Sequence, residues 1–175
     1  MTAIDSELRE PVGLRIHVVR PVGLSCTKLD ELACLIVEGG QIRPDNIADR
    51  LLRCRWIAYA TDNEKVVGVA ALKTPHDGPD DNAFYKAKSP YNYDAFTMEI
   101  GFLMIASPYR RKHLALALTK TLCDLESRSN LYATVVEANC GAQSVLLRNG
   151  FVQSGVPFAD RGGSEPLVLW VKVPT

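Results

Sequence analysis

The stretch MEIGFLMIA (98–106) holds one carboxylate, Glu99, in an otherwise apolar run. A carboxylate is unusual in such a run, and with Gly101 two residues on it marks this part of the strand as a place where a ligand could come close. A little further on, SPYRRKHLALAL (107–118) crowds Arg110, Arg111, Lys112 and His113 together where the chain turns apolar again. Helix N-termini favour acids, because the dipole is positive there, and local rules tend to break at functional sites. What these cations suit is an anion. The first N–H groups of a helix lack internal acceptors and converge at a strand-to-helix turn, so a diphosphate there would meet backbone amides with side-chain cations around it. Each feature also has a plainer explanation: a solvated basic patch for the cations, and for Glu99 an ion pair with a base on a neighbouring strand. A third constellation is EANCGAQSVLLRNGF (137–151), with Asn139 near its start and Asn149-Gly150-Phe151 at its end.

Strands and helices must bring these groups together. LRIHVV (14–19) alternates and is rich in β-formers, so it reads as a strand. Leu29, Leu32, Ala33 and Ile36 form the stripe of an amphipathic helix that Gly39-Gly40 ends. Pro44 suits the first turn of a second helix, which turns Ile47 and Leu51 inward. WIAYAT and KVVGVAALK flank Asp62-Asn63-Glu64 as a hairpin. Residues 74–97 form a long polar stretch, a candidate lid or binding loop. In the strand 98–106, period-two alternation puts Glu99, Gly101, Leu103 and Ile105 on one face and Met98, Ile100, Phe102 and Met104 on the other. A glycine in mid-strand marks a bulge or the close approach of a ligand. A helix follows over about 112–127, with Leu114, Leu118, Leu122 and Leu125 as its apolar stripe. LYATVV (131–136) is the next strand, so 98–136 is a strand–helix–strand unit with two parallel strands. A short helix spans about 141–149, with Gly150 at its C′ position, and FVQSGV and PLVLWVKV close the chain as strands.

The 175 residues suit one domain, and 47% hydrophobic content supplies a substantial core. With 20 basic and 20 acidic residues the net charge is zero, which argues against a general nucleic-acid binder. The five cysteines, Cys26, Cys34, Cys54, Cys123 and Cys140, form no CxxC pair and fit a reduced cytoplasmic protein better than a disulfide scaffold or a zinc site. The polar N-terminus is unlike a signal peptide, and no apolar run is long enough to span a bilayer.

The acidic strand, the basic helix start and the N…A…GF helix together resemble the GNAT superfamily of acyl-CoA-dependent N-acyltransferases. That family's CoA signature, Q/R-x-x-G-x-G/A, corresponds to Arg110-Arg111-Lys112-His113-Leu114-Ala115, in which the first and last positions match and His113 replaces the glycine. Its later motif, N-x-x-A-x-x-x-Y-x-x-x-G-F, matches at Asn139, Ala142, Gly150 and Phe151, with Leu146 at the tyrosine position. The stretch 98–118 also resembles histone acetyltransferases, in which a glutamate at the position of Glu99 is the general base. The likeness covers the order of elements over most of the chain and specific motifs over 98–151.

The resemblance implies a single domain over 1–175, with a mixed α/β fold: a mostly antiparallel central sheet, a parallel splayed strand pair and flanking helices. It implies acetyl-CoA as co-substrate and a small-molecule or peptide amine as acceptor. The pyrophosphate is expected on the N–H groups of Arg111, Lys112, His113, Leu114, Ala115 and Leu116, next to Arg110. Pantetheine is expected along the edge formed by Leu103, Met104 and Ile105, within reach of Asn139 and Ser144. A backbone N–H near Leu103 is expected to stabilise the oxyanion. No metal is implied.

An alkyl amine holds its proton to about pH 10, so Glu99 is the expected base. Leu146 cannot protonate the leaving thiolate. Either the thiolate leaves unassisted or another tyrosine reaches in, from among Tyr85, Tyr91, Tyr93 and Tyr109; Tyr132 reads as core. Cys140 lies beside Asn139 and reads more readily as structural than as a group near the thioester. His113 is compatible with a helix start if its φ is negative. Asp77, Asp80, Asp81 and Asp94 make the loop 74–97 acidic, which mildly suits a cationic acceptor and equally suits plain solvation. A non-catalytic acyl-CoA-binding module and an RNA- or protein-directed acetyltransferase toxin are the competing readings. Nucleic acid is an unlikely partner, membrane is none, and a homodimer through an edge strand is open.

Overall fold

The computed structural model describes residues 13–40, 45–75, 82–159 and 165–174. In chain order the elements are β1 (Leu14–Val19), α1 (Cys26–Glu38), α2 (Ile47–Leu52), β2 (Cys54–Asp62), β3 (Lys65–Lys73), α3 (Ala83–Lys86), β4 (Met98–Ile105), α4 (Leu114–Leu125), β5 (Leu131–Val136), α5 (Cys140–Arg148), β6 (Val152–Phe158) and β7 (Leu167–Lys172). The strands form one sheet in the order β1-β2-β3-β4-β5-β7-β6. β4–β5 is parallel and the other neighbours are antiparallel. This is the mixed α/β architecture that the sequence implies.

Each helix follows from its own stripe and caps. Ser25 caps α1 by accepting the Lys28 N–H at 3.2 Å, and Leu32, Leu35 and Ile36 go inward. α2 buries Ile47 and Leu51 as expected, while Pro44 lies outside the described residues. The β2–β3 turn narrows to Asn63-Glu64, with φ of 47° and 68°, and Asp62 pairs with Lys65. Positive φ at both central residues is the I′ geometry that matches strand twist. α4 buries Leu114, Leu118 and Leu122 on the sheet, but Leu125 is 45% exposed, so the expected stripe is one leucine too long. Beyond it Glu126 accepts Arg55 Nε at 2.7 Å and Trp56 Nε1 at 3.2 Å, tying the helix end to β2. α5 ends in a Schellman motif: Phe151 N–H reaches Leu146 O at 3.1 Å and Gly150 N–H reaches Leu147 O at 3.0 Å. Gly150 has φ of 84°, where a side chain would be strained, and Phe151 is fully buried.

Three apolar clusters hold the layers. One unites α4 and α5 with their face of the sheet, a second unites α1 and α2 with the opposite face, and a third lies under 82–96. For residues 82–96 the third cluster corrects the reading of a plainly polar stretch. Phe84, Ala87 and Phe96 are buried against Tyr132, Phe158, Leu169 and Val171. These few apolar side chains, scattered among Pro, Asp and Tyr, outweigh the polar average once the sheet is beside them.

β4 carries a second correction. Val69 pairs with Met104 and Ala71 with Gly101, so two β4 residues oppose the single residue Ala70. This is a β-bulge, with Phe102 in the left-handed region at φ 53°. The bulge resets the alternation. Met98, Ile100, Leu103 and Ile105 face the α4 side, while Phe102 and Met104 join the α1–α2 side. A strict two-residue period misplaces four side chains for one extra residue.

Candidate active site

β4 and β5 pair only at Met98–Leu131 and Glu99–Tyr132. β4 stays on β3 as far as Ile105, and β5 stays on β7 as far as Val136. The sheet therefore opens into a V whose vertex is at Glu99. Ala106 N–H bonds Val67 O at 2.9 Å, so it points to β3. By alternation the N–H groups of Ile105 and Leu103 turn the other way, into the V. Such an edge is a template for a further extended chain. At its end Arg110 Nε bonds Ile105 O at 3.1 Å.

Beyond β4 the chain makes a turn of alternating handedness. Arg111 has φ of 62° and His113 φ of 59°, with the negative-φ residue Lys112 between them. The expected negative φ at His113 is thus overturned. A non-glycine residue there costs roughly 1–2 kcal/mol, and strain of this kind persists where the surroundings over-determine it. Such alternation of handedness turns successive N–H groups to one side as a concave nest. The first intrahelical bond shown for α4 runs from Ala117 N–H to His113 O at 3.0 Å. The N–H groups of Leu114, Ala115 and Leu116 come before it, and no side chain caps the helix. Arg111, Lys112 and His113 are exposed at the rim. Lys112 Nζ lies 5.3 Å from the Tyr109 ring centre, and Tyr109 donates its hydroxyl to Asp62 at 2.5 Å. That bond pins the turn to the β2–β3 hairpin and holds the phenol above its ordinary pKa. Arg148, reaching over from α5, stands with Nη1 3.4 Å from His113 Nδ1, a fourth cation that its sequence position did not signal.

At the vertex Glu99 is bound on both sides. Lys73, its cross-strand partner on β3, reaches Oε2 at 2.8 Å, and Thr134 on β5 donates to Oε1 at 3.3 Å. The ion pair weighed from sequence therefore exists. Gly101 makes it possible: a Cβ there would stand 2.5 Å from Lys73 Cε. On the α1–α2 side Glu99 opens onto a cleft of about 280 Å³ that also includes Arg50, Arg53, Lys73 and Phe102. Burial pushes the nearby Cys54 thiol up to about 12, while Lys73 and Arg50 pull it down. A larger depression of about 550 Å³ between α1 and α2 shares no residue with this site.

The other expected residues fall as follows. Leu103, Met104 and Ile105 form the edge, and Arg110 through Leu116 form the turn and helix start beside it. Asn139 stands past the end of β5, across the V, where its Oδ1 caps α5 by accepting the Ala142 N–H at 3.0 Å. Ser144 and Cys140 are exposed on α5. Leu146 is 2% exposed and belongs to the α4–α5 core. Tyr132 is buried, as expected, against Phe84 and Tyr93, and Tyr109 is held by Asp62. Tyr85 is exposed, and so is Tyr91. Asp77, Asp80 and Asp81 lie outside the described residues.

A sheet parted next to a helix start with uncommitted amides, and a carboxylate at the vertex, fit an acyl-CoA-dependent acyltransferase. A family model described as the acetyltransferase (GNAT) family matches residues 30–151, and the chain belongs to that family. Its members use acetyl-CoA as co-substrate. A comparison with curated proteins found no match by sequence. Among solved structures, an acyl-CoA N-acyltransferase from Pseudomonas aeruginosa superposes with a TM-score of 0.67 at 15% identity, covering 91% of this chain and 99% of that one. Arabidopsis thaliana NAA60 in complex with acetyl-CoA gives 0.66 at 15% identity, over 91% and 99% of the two chains. Escherichia coli ElaA gives 0.65 at 15% identity with the same coverage. At such identities the likeness is one of fold. Among the described residues no helix is long and apolar enough to cross a membrane.

Proposed function

We propose that this chain moves an acetyl group from acetyl-CoA to a primary amine, with Glu99 as the base. The observation that carries the reading is the position of Glu99 at the vertex of the V, with the turn of alternating handedness at the other end of the same β4 edge. Glu99 is held in place by Lys73 and Thr134, so it can accept the ammonium proton without reorganising. The freed lone pair then attacks the thioester carbonyl, whose oxygen faces the inward N–H of Leu103; as the C–S bond breaks, the nitrogen gives up its second proton through water to the departing thiolate. The thioester supplies both the acetyl group and the thiolate leaving group. Leu146, sealed in the core, offers that thiolate no proton, so it leaves without help from that position. Arg111 to Leu116 supply the amides for the diphosphate, with Arg110 beside them, and Leu103 to Ile105 supply the edge for pantetheine. Asn139 and Ser144 stand on the far wall as further contacts.

The test is free-thiol release from acetyl-CoA in the presence of amines. Glu99→Gln is expected to lower kcat by about 10²- to 10⁴-fold while acetyl-CoA still binds. A second reading, a module that binds acyl-CoA without turnover, draws on the burial of Leu146 and the pairing of Glu99 with Lys73. Tight acetyl-CoA binding with no thiol release across a broad amine panel would establish it instead.

A further inference from the structure

We propose that the cleft beside Glu99 is an anion subsite, and that the acceptor is a small amine carrying a carboxylate, of amino-acid type. The acetyl-transfer reading supplies the reaction; the charge of the cleft supplies the substrate class. Among the described residues three cations, Arg50, Arg53 and Lys73, line the cleft with a single carboxylate, Glu99. Lys73 is paired with Glu99 at 2.8 Å. Arg53 gives its Nε to Asp49 O at 3.2 Å, which leaves its outer nitrogens for another acceptor. Arg50 lies over the Phe102 ring, its Cζ 5.1 Å from the centre, and Lys73 Nζ stands 5.4 Å from the same centre. Among the described residues neither arginine has a carboxylate partner.

Like charges gathered around one apolar ring repel one another, and an anion relieves that repulsion. A guanidinium is a planar fork that takes a carboxylate through two parallel hydrogen bonds. The cleft, about 280 Å³, is at the small end for a ligand site. One molecule of amino-acid size therefore reaches both the arginines and Glu99, with its carboxylate on the former and its amine at the latter. This is opposite in sign to the cationic acceptor that the acidic loop suggests. Asp94, the described acid of that loop, is exposed and does not line the cleft.

The experiment uses the full chain and amine pairs that differ by one carboxylate: phenylalanine and phenethylamine, tyrosine and tyramine, tryptophan and tryptamine. Free-thiol release gives kcat/KM for each. In parallel, calorimetry measures binding of N-acetylphenylalanine and N-acetylphenethylamine, which needs no turnover. The carboxylate member is expected to lead by roughly 10-fold or more, as a charge-assisted contact allows. Arg50→Glu or Arg53→Glu is expected to erase that lead at unchanged acetyl-CoA affinity, and Arg50→Lys to retain part of it. If no amine is acetylated but N-acetylphenylalanine binds in an arginine-dependent way, the subsite stands and the acetyl-transfer reading falls. Equal or better use of the decarboxylated amines, a 10-fold preference for phosphoethanolamine over the carboxylates, or arginine-independent binding in both assays overturns the proposal. Both arginines are solvent-accessible, and a thermal melt of each variant verifies folding.

Discussion

The two parallel strands each hand over to a helix, and the two junctions are built in opposite ways. After β5 the chain follows ordinary rules: Asn139 caps α5 with its side chain, and Gly150 with Phe151 closes it. After β4 almost every local preference is set aside. Arg111 and His113 sit at positive φ without being glycine, the His113 side chain does not cap α4, and cations surround the start of that helix. The first arrangement minimises the free energy of a helix by itself. The second makes sense when the helix start has an anion to hold. Ordinary and strained junctions lie across one gap, so under the proposed function binding falls mainly to one wall and support to the other.

That contrast can be broken in several ways. The largest effect is expected from reversing charge at the strained junction. Arg111→Glu with Lys112→Glu should weaken acetyl-CoA binding about 10- to 100-fold in calorimetry, and the loss should shrink as salt is raised, because these side chains are exposed. An unchanged Kd would make the cations a plain solvated patch. Asn139→Ala should cost the ordinary junction about 1 kcal/mol in denaturant unfolding, as lost caps do. His113→Gly should do the reverse at the strained junction: a gain of roughly 1 kcal/mol from relief of the left-handed strain, with acetyl-CoA affinity kept or improved. A large loss of affinity would instead make the imidazole a ligand. The smallest effect concerns the cysteines of the two helices. Burial pushes the Cys123 thiol on α4 up to about 11, so it has little thiolate at neutral pH, and raising the pH toward that value should expose its reactivity. Cys140, exposed at the start of α5, should be alkylated promptly by iodoacetamide at neutral pH. Mass spectrometry after brief labelling reads both.

Most of the scaffold was legible because alternation, stripes and punctuation agree along it. β1 and β5 occupy the ranges that their patterns mark, and the Asn-Gly-Phe ending of α5 forms the motif that its residues suggest. Misreadings arose where tertiary structure overrides the local pattern. An inserted residue at Phe102 leaves no trace in an apolar run, yet it swaps faces for everything after it. Phe84 and Phe96 look like loop residues until a sheet face is set beside them. At the site, Glu99 and the basic helix start could be picked out by residue type. The sequence marks Lys73 only as some base on a neighbouring strand. Arg50, Arg53 and Arg148 reach the site through folding alone, and nothing in their neighbours marks them.

Only two residue pairs, Met98–Leu131 and Glu99–Tyr132, join the four-stranded half β1–β4 to the three-stranded half β5, β7 and β6. The sheet thus has an unzipped seam at its centre, where most sheets are best protected. In the free protein the inward amides of Leu103 and Ile105 should exchange with solvent as readily as those of an outer strand, although they lie mid-sheet. A bound extended chain would complete the missing rung and staple the halves together. Occupancy would then be recorded as slowed exchange along one side of β4 and as a higher melting temperature. Under the proposed function, the gap in the sheet is then itself the recognition element.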